Sequence, residues 1–352
     1  MSGVHLLGVG STSLSRNPRG PRPLAREAVG AALADAGVSA KEVDGVAIAS
    51  RDPGFDLGCY DVLGEARRPF KCRCGLGAVA LHSSWNAVSS GASDVVVCVG
   101  HDWPADEEEG LDPLAALETQ AAAAREYMQH SGATEEHLAR VAAKNRRHGA
   151  ANPHALQATA VDPEEVLASE LLVWPLRRLM VAPPARGAAA VVLGSHEIVR
   201  RHGPKAPRVQ ASVLLDEDSA DGAATARAAR LGYFAAGLGP EEIDLAEIED
   251  PTPVDEIEAY EALELGPPGS GPELVESGFT ALGGVVPVNA SGGALSQGRA
   301  KGAAGILQMV ELSLQLRDRA GRRQVPGARV GLGLAGSATA PGHVTALTIL
   351  TT

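Results

Sequence analysis

Four cysteines, at positions 59, 72, 74 and 98, are the strongest nucleophiles in this chain, and one has surroundings suited to reaction. The stretch KCRCGLGAVALHSSWNAVSSGASDVVVCVG, residues 71–100, reads as a cysteine-bearing turn, then a helix, then a buried strand. Residues 75–88 are small or apolar on most sides and contain no proline, the pattern of a helix buried nearly all round. The run VVVCV has the length and continuity of a strand covered on both faces. Cys72 is therefore expected just before the N-terminus of a buried helix. Free N–H groups and the helix dipole there favour a thiolate and can hold an oxyanion. The competing reading makes the cysteines small core residues, and it is adopted for Cys74 and Cys98. Cys72-x-Cys74 has no second pair at zinc spacing, so no metal site is expected.

A second group of candidates is basic. Lys144, Arg146, Arg147 and His148 follow one another in a helical stretch and suit the phosphates of a nucleotide-like ligand. A solvated helix face is the alternative, and the one the sequence favours. The net charge of −12 argues against nucleic acid and anionic membranes as partners. No run approaches the length of a membrane span, and no secretory signal opens the chain. Few cysteines, with no disulfide framework, fit a reducing cytoplasm.

The elements that must position these residues fall into two halves. At 352 residues the chain exceeds a typical single core. Ala36-Gly37-Val38 followed by Lys41 to Asp44 reappears as Ala236-Gly237-Leu238 followed by Glu241 to Asp244. In each place a helix ends at glycine and an acidic loop enters a strand. GASDVVVCVG (91–100) has a counterpart in GARVGLGLAG (327–336), each preceded by a long helix, the second over 302–318. This is duplication of a whole βαβ domain. The halves span 1–204 and 205–352. The first is interrupted over 101–186 by helices and an acidic stretch at 106–109, an inserted loop domain.

The order and spacing of LADAGVSAKEVDGVAI, SSGASDVVVCVG, VAAKNRRHGAANPHA, RGAAAVVLGS, AYEALEL and PVNASGGALSQGRAKGAAG resemble the thiolase superfamily, and most of all its sterol-carrier-protein-type members. The resemblance covers nearly the whole chain. It implies an α/β fold of duplicated βαβ halves in five layers, α-β-α-β-α, with the duplicated helices in the middle. It implies coenzyme A thioesters as substrates, no bound cofactor, and Cys72 as the residue acylated. The Cys72 N–H, with one from the turn ending at Gly336, would form an oxyanion hole. Asn289, Ser291 and Gly292 of the NASGG loop would face substrate.

The chain departs from that family where catalytic histidines are expected. Gly298-Arg299-Ala300 stands in place of Gly-His-Pro, and Glu249-Asp250 in place of His-Asp. No cysteine follows Cys98, and His343 lies beyond the glycine-rich turn. Arg299 beside Cys72 would favour a thiolate but could not act as a base; a structural ion pair with Glu249 or Asp250 is the alternative. Either carboxylate could serve as a base, weakened if pressed against arginine. Two functions follow. One is a thiolase-like acyltransferase working through a Cys72 thioester. The other is a diverged subunit without classical thiolase activity, acting with an OB-fold, zinc-ribbon partner, for example as a retro-aldolase on CoA esters, or as a non-catalytic lipid carrier. A homodimer, or a heterologous pair, is expected through VVVCVG, taken as an otherwise exposed edge strand.

Overall fold

The computed structural model describes residues 3–16, 19–50, 52–64, 68–101, 113–202, 205–216, 223–336 and 344–352. The acidic stretch 106–109 and His343 lie outside them. The first half runs β1 (Val4–Ser11), α1 (Pro21–Ala36), β2 (Gly45–Ala49), α2 (Pro53–Leu63), β3 (Phe70–Cys74), α3 (Gly77–Ser89) and β4 (Val95–His101). Next come α4 (Pro113–Ser131), α5 (Glu135–Gly149), α6 (Pro163–Ala168), β5 (Leu171–Val173) and β6 (Leu176–Arg177) of the loop domain, and then β7 (Ala188–Ser195) and α7 (His196–His202). The second half runs β8 (Arg208–Asp216), α8 (Ala223–Ala236), β9 (Leu245–Ile248), α9 (Pro253–Ala262), α10 (Gly271–Glu276), α11 (Gly293–Gln297), α12 (Ala304–Leu316), β10 (Val330–Ala335) and β11 (Val344–Thr351).

The duplication is visible in individual hydrogen bonds. Gly37 and Gly237 end α1 and α8 in the left-handed region, at φ 64° and 68°. Their N–H groups return to Ala34 and Phe234, a closure that glycine adopts without steric cost. Seven residues later, Asp44 accepts from the N–H of Asp94 (2.8 Å) and Val95 (2.9 Å). Asp244 does the same for Arg329 (2.7 Å) and Val330 (2.8 Å). Each aspartate thereby fixes the start of β4 or β10 beside its parallel neighbour β2 or β9.

Nine strands form one sheet in the order β3-β2-β4-β7-β1-β8-β11-β10-β9. Within the sheet the two halves are joined at β1 and β8, where Val4 pairs Val209 and His5 pairs Arg208. β4 and β10 occupy equivalent places: each has a parallel neighbour on one side and the antiparallel β7 or β11 on the other. Among the described residues the first half contributes five of these strands. The second has four, and a single parallel bridge, Ala246 to Val288, stands where a fifth would lie. Pro287 shortens that segment to a bridge, since its nitrogen cannot donate to the ladder.

Three cores account for the layers. One lies between α1, α2 and the outer face of the first half. A second surrounds α3 and α12, which pack side by side and touch strands of both halves. A third joins α8 and α9 and the outer face of the second half to the loop domain.

Two expectations need correction. Cys72 lies inside β3, opposite Ala47 of β2, and α3 begins only at Gly77. The reason is that FKCRC alternates half-buried and exposed residues and pairs as a strand, which moves the turn to Gly75-Leu76. The strand VVVCVG is no edge: β4 sits between β2 and β7 and every residue of it is buried. The free edge on that side belongs to β3.

Candidate functional site

The carboxyl ends of β9 and β10 and the N-termini of α3 and α12 converge on a cleft, the place where open α/β sheets expose backbone N–H groups and loops to ligands. Its outer chamber is lined by Leu76, Gly77 and Ala78 at the start of α3, by Lys301, Ala304 and Gly305 at the start of α12, and by Glu249, Arg299, Ala335, Gly336 and Val344. An inner chamber shares Glu249, Arg299 and Ala304, and adds Glu247, Ile248, Gly293, Ala294, Gln297, Gly298, Ala300, Leu307 and Gln308. The two helix starts approach closely because glycines meet there. A Cβ on Gly77 would stand 2.7 Å from the Gly302 carbonyl oxygen, and one on Gly100 only 2.0 Å from it.

Arg299 and Glu249 reach this cleft. The Arg299 backbone is held by Pro183 and Ala185 of the loop domain, and its Nε is buried without a hydrogen-bond partner. Glu249 accepts from the Gly336 N–H at 2.9 Å. That N–H, expected to point at an oxyanion, is therefore already engaged. Gly336 itself has φ 110°, and a Cβ there would meet the Val344 carbonyl at 2.6 Å, so the turn requires glycine.

Cys72 does not line the cleft. It faces the middle core across Ala47 from Cys98. A hydrogen bond with Cys74, two residues along the same face, and another with Ser83 of α3 draw its thiol down to about 6 against the opposing effect of burial. Arg299 plays no part in that shift. Cys74 is raised by its Cys72 contact and donates instead to the Leu76 carbonyl at 3.3 Å. Burial raises Cys98 to about 12.

Most of the remaining sequence candidates, though neither Arg146 nor Arg147, gather elsewhere, in a buried polar cluster that ties the loop domain to the second half. Asp250 is fully buried and accepts from the Ala294 N–H and from Asn145 Nδ2 at 2.7 Å; burial and the neighbouring Glu256 raise its carboxyl. Glu256 accepts from Lys144, Asn145, Tyr260 and Asn289. Asn289, at φ 54°, also receives the Ile248 N–H at 2.7 Å. His148 donates from Nδ1 to the Asn289 carbonyl and accepts the Leu282 N–H at Nε2; burial pushes it down to about 3, so it stays neutral. Arg146 donates to the Thr159 carbonyl, and Arg147 is exposed. Gly292, at φ 99°, and Ser291 complete the turn into α11, with Ser291 bound to Glu247. Neither chamber is lined by Asp250, Arg146, Arg147, His148, Asn289, Ser291 or Gly292.

Sequence reasoning passed over Glu247, Gln297, Lys301 and Gln308. Glu247 had one signal: a charged residue in the short apolar run LAEI, which is buried throughout.

The fold and the paired helix starts define a thiolase-type protein whose cleft holds arginine and glutamate. Residues 209–351 match the family model "Thiolase C-terminal domain-like". The chain is 32% identical to sterol carrier protein 2 of Bos taurus, over 94% of this chain and 69% of that one. It is 32% identical to the acetyl-CoA acetyltransferase of Methanothermobacter thermautotrophicus, over 88% of this chain and 90% of that one. Among solved structures, the "Ltp2-ChsH2(DUF35) aldolase" superposes with a TM-score of 0.88 at 26% identity, covering 99% of this chain and 98% of the other. The chain belongs to the thiolase superfamily, among the sterol-carrier-protein-2-type thiolases.

Proposed function

We propose that this chain makes or breaks a carbon–carbon bond in a coenzyme A thioester by aldol rather than Claisen chemistry, as one subunit beside an OB-fold, zinc-ribbon partner. One observation carries the reading: among the described residues, the cleft is lined by Arg299, Glu249, Glu247 and Lys301, with no thiol and no imidazole. Claisen chemistry needs an acyl-cysteine in the cleft; aldol cleavage does not. A base takes the proton of the 3-hydroxyl, the Cα–Cβ bond breaks, and its electron pair moves onto the thioester carbonyl as an enolate. The carbonyl product leaves and the enolate is protonated at Cα. N–H groups at the start of α3 and the Arg299 guanidinium would stabilise the enolate oxygen in a site screened from water. The structural likeness to a complex named as an aldolase supports the reading and its two-protein form.

The test is release of acetaldehyde from 3-hydroxybutanoyl-CoA by the chain, alone and mixed with a purified OB-fold, zinc-ribbon protein. Turnover that falls at least tenfold in Arg299→Ala is expected. Acetyl-CoA condensation without aldehyde release would sink the proposal. A second reading, acyl transfer through Cys72, is favoured by the lowered thiol of that residue; radiolabel from acyl-CoA on Cys72 would establish it.

A further inference from the structure

The inner chamber contains a buried acid that none of the family comparisons points to. Glu247 lies on β9 with 2% of its surface exposed, and it lines the chamber together with Glu249 and Arg299. Its carboxyl is reached twice by Ser291, whose N–H donates to Oε1 at 3.0 Å and whose hydroxyl bonds Oε2. Gln297, also on the chamber wall, donates to the Ser291 hydroxyl at 2.6 Å, and the Gly293 N–H approaches the same oxygen at 3.2 Å. A continuous chain of exchangeable groups thus joins the chamber to Glu247. From α12, Glu311 faces it, itself paired at 2.9 Å with Arg323.

We propose that Glu247 is the proton-transfer residue of the inner chamber, exchanging a proton with the 3-oxygen of a short hydroxyacyl thioester. In the cleavage direction the carboxylate takes the hydroxyl proton as the Cα–Cβ bond breaks; in the reverse direction the acid returns it to the alkoxide. The geometry suits a small oxygen-bearing group, since Gln297 and Gln308 stand on the wall beside Leu307, Ala294 and Ala300. Burial and the Glu311 charge push Glu247 up to about 8, against the pull of Ser291 and Arg323. An acid–base group works best when its pKa lies near the working pH. The proposal rests on the aldol reading, so its test must separate the two.

Infrared difference spectra of the wild type across pH 6 to 9 should show a carboxylic acid band that titrates near 8 and is missing in Glu247→Gln. The band should shift with 3-hydroxybutanoyl-CoA and stay still with butanoyl-CoA, which lacks the oxygen. In turnover, Glu247→Gln should lower kcat by roughly 100-fold or more with KM within a few-fold, and Glu247→Asp should recover part of it with a displaced pH profile. A missing band, or one indifferent to the 3-hydroxyl, overturns Glu247 whatever the turnover. A responsive band without aldehyde release by the wild type upholds Glu247 as the group contacting the 3-oxygen and overturns the aldol reading.

Discussion

Cys72 owes its lowered pKa to neighbours that are close in sequence as well as in space. Cys74 stands two residues away on the same strand face, and Ser83 comes from the helix packed on that face. Its alkylation by iodoacetamide should have a midpoint near pH 6. Cys74→Ala should move that midpoint up, towards the free-thiol value of about 8.5, while Arg299→Ala leaves it in place. The opposite pattern would mean that the guanidinium, not the second thiol, sets the charge. The identity of the nucleophile candidate was legible in the sequence; its surroundings were not. The turn was expected before Cys72, and the pairing of β3 with β2 that displaces it is a tertiary event. The same holds for the buried cluster. Lys144 and Glu256 meet across 112 positions, and nothing local in either segment marks the partner.

At the level of elements the sequence was more generous. The offset of 200 between Gly37–Asp44 and Gly237–Asp244 marks equivalent caps and equivalent strand starts, because those bonds are local to a helix end and the strand after it. Which strand forms an edge was hidden, since edge and centre differ in neighbours rather than in their own residues. The contact between β4 and the segment leading into α12 gives the clearest prediction here. Gly100→Ala would press a methyl carbon onto the Gly302 carbonyl, and neither backbone can retreat without moving α12 or β4. A loss of about 1–3 kcal/mol in denaturant unfolding is expected. Gly30→Ala is the control: it lies in the interior of α1 with open space around it and should gain about 0.4–1 kcal/mol. Equal effects at the two positions would show that β4 and the segment leading into α12 do not meet as described.

For the molecule as a whole, buried titrating groups set how stability follows pH. Glu247 and Glu258 are both held up near 8 by burial and neighbouring carboxylates. A raised carboxyl contributes stability below its unfolded pKa of about 4.3, and that contribution is lost as pH rises through the folded value. His148 and His101 are pushed down, to about 3 and 4, by burial. Their contribution is complete above an unfolded pKa of about 6.5 and is lost as pH falls. Between about 6.5 and 8 the two carboxylates lower stability as pH rises while the lowered Cys72 thiol raises it, one group against two, so the melting temperature should fall across that window by less than the acids alone would give. Glu247→Gln should flatten the slope. A melting temperature that climbs from pH 6.5 to 8 would contradict the burial of these acids in uncharged form.

The loop domain leaves β4 at His101 and returns to β7 at Ala188, two residues that are direct partners in the sheet. Seen from the ribosome, the segment between them is an interruption delivered before the first sheet can close. Its own apolar side chains, Leu138, Val166 and Met180 among them, are buried with Ile257, Tyr260 and Leu332, all of which are synthesised later. While the chain is being made, the first half can therefore assemble β7 against β4 and β1 as soon as residue 195 emerges, with the loop domain left outside as an unfinished surface. Only the arrival of β9, α9 and β10 gives that surface its other side. Glu247 and Glu249 arrive with β9 and Arg299 arrives between α11 and α12, so the cleft is completed over the same stretch of translation that anchors the loop domain.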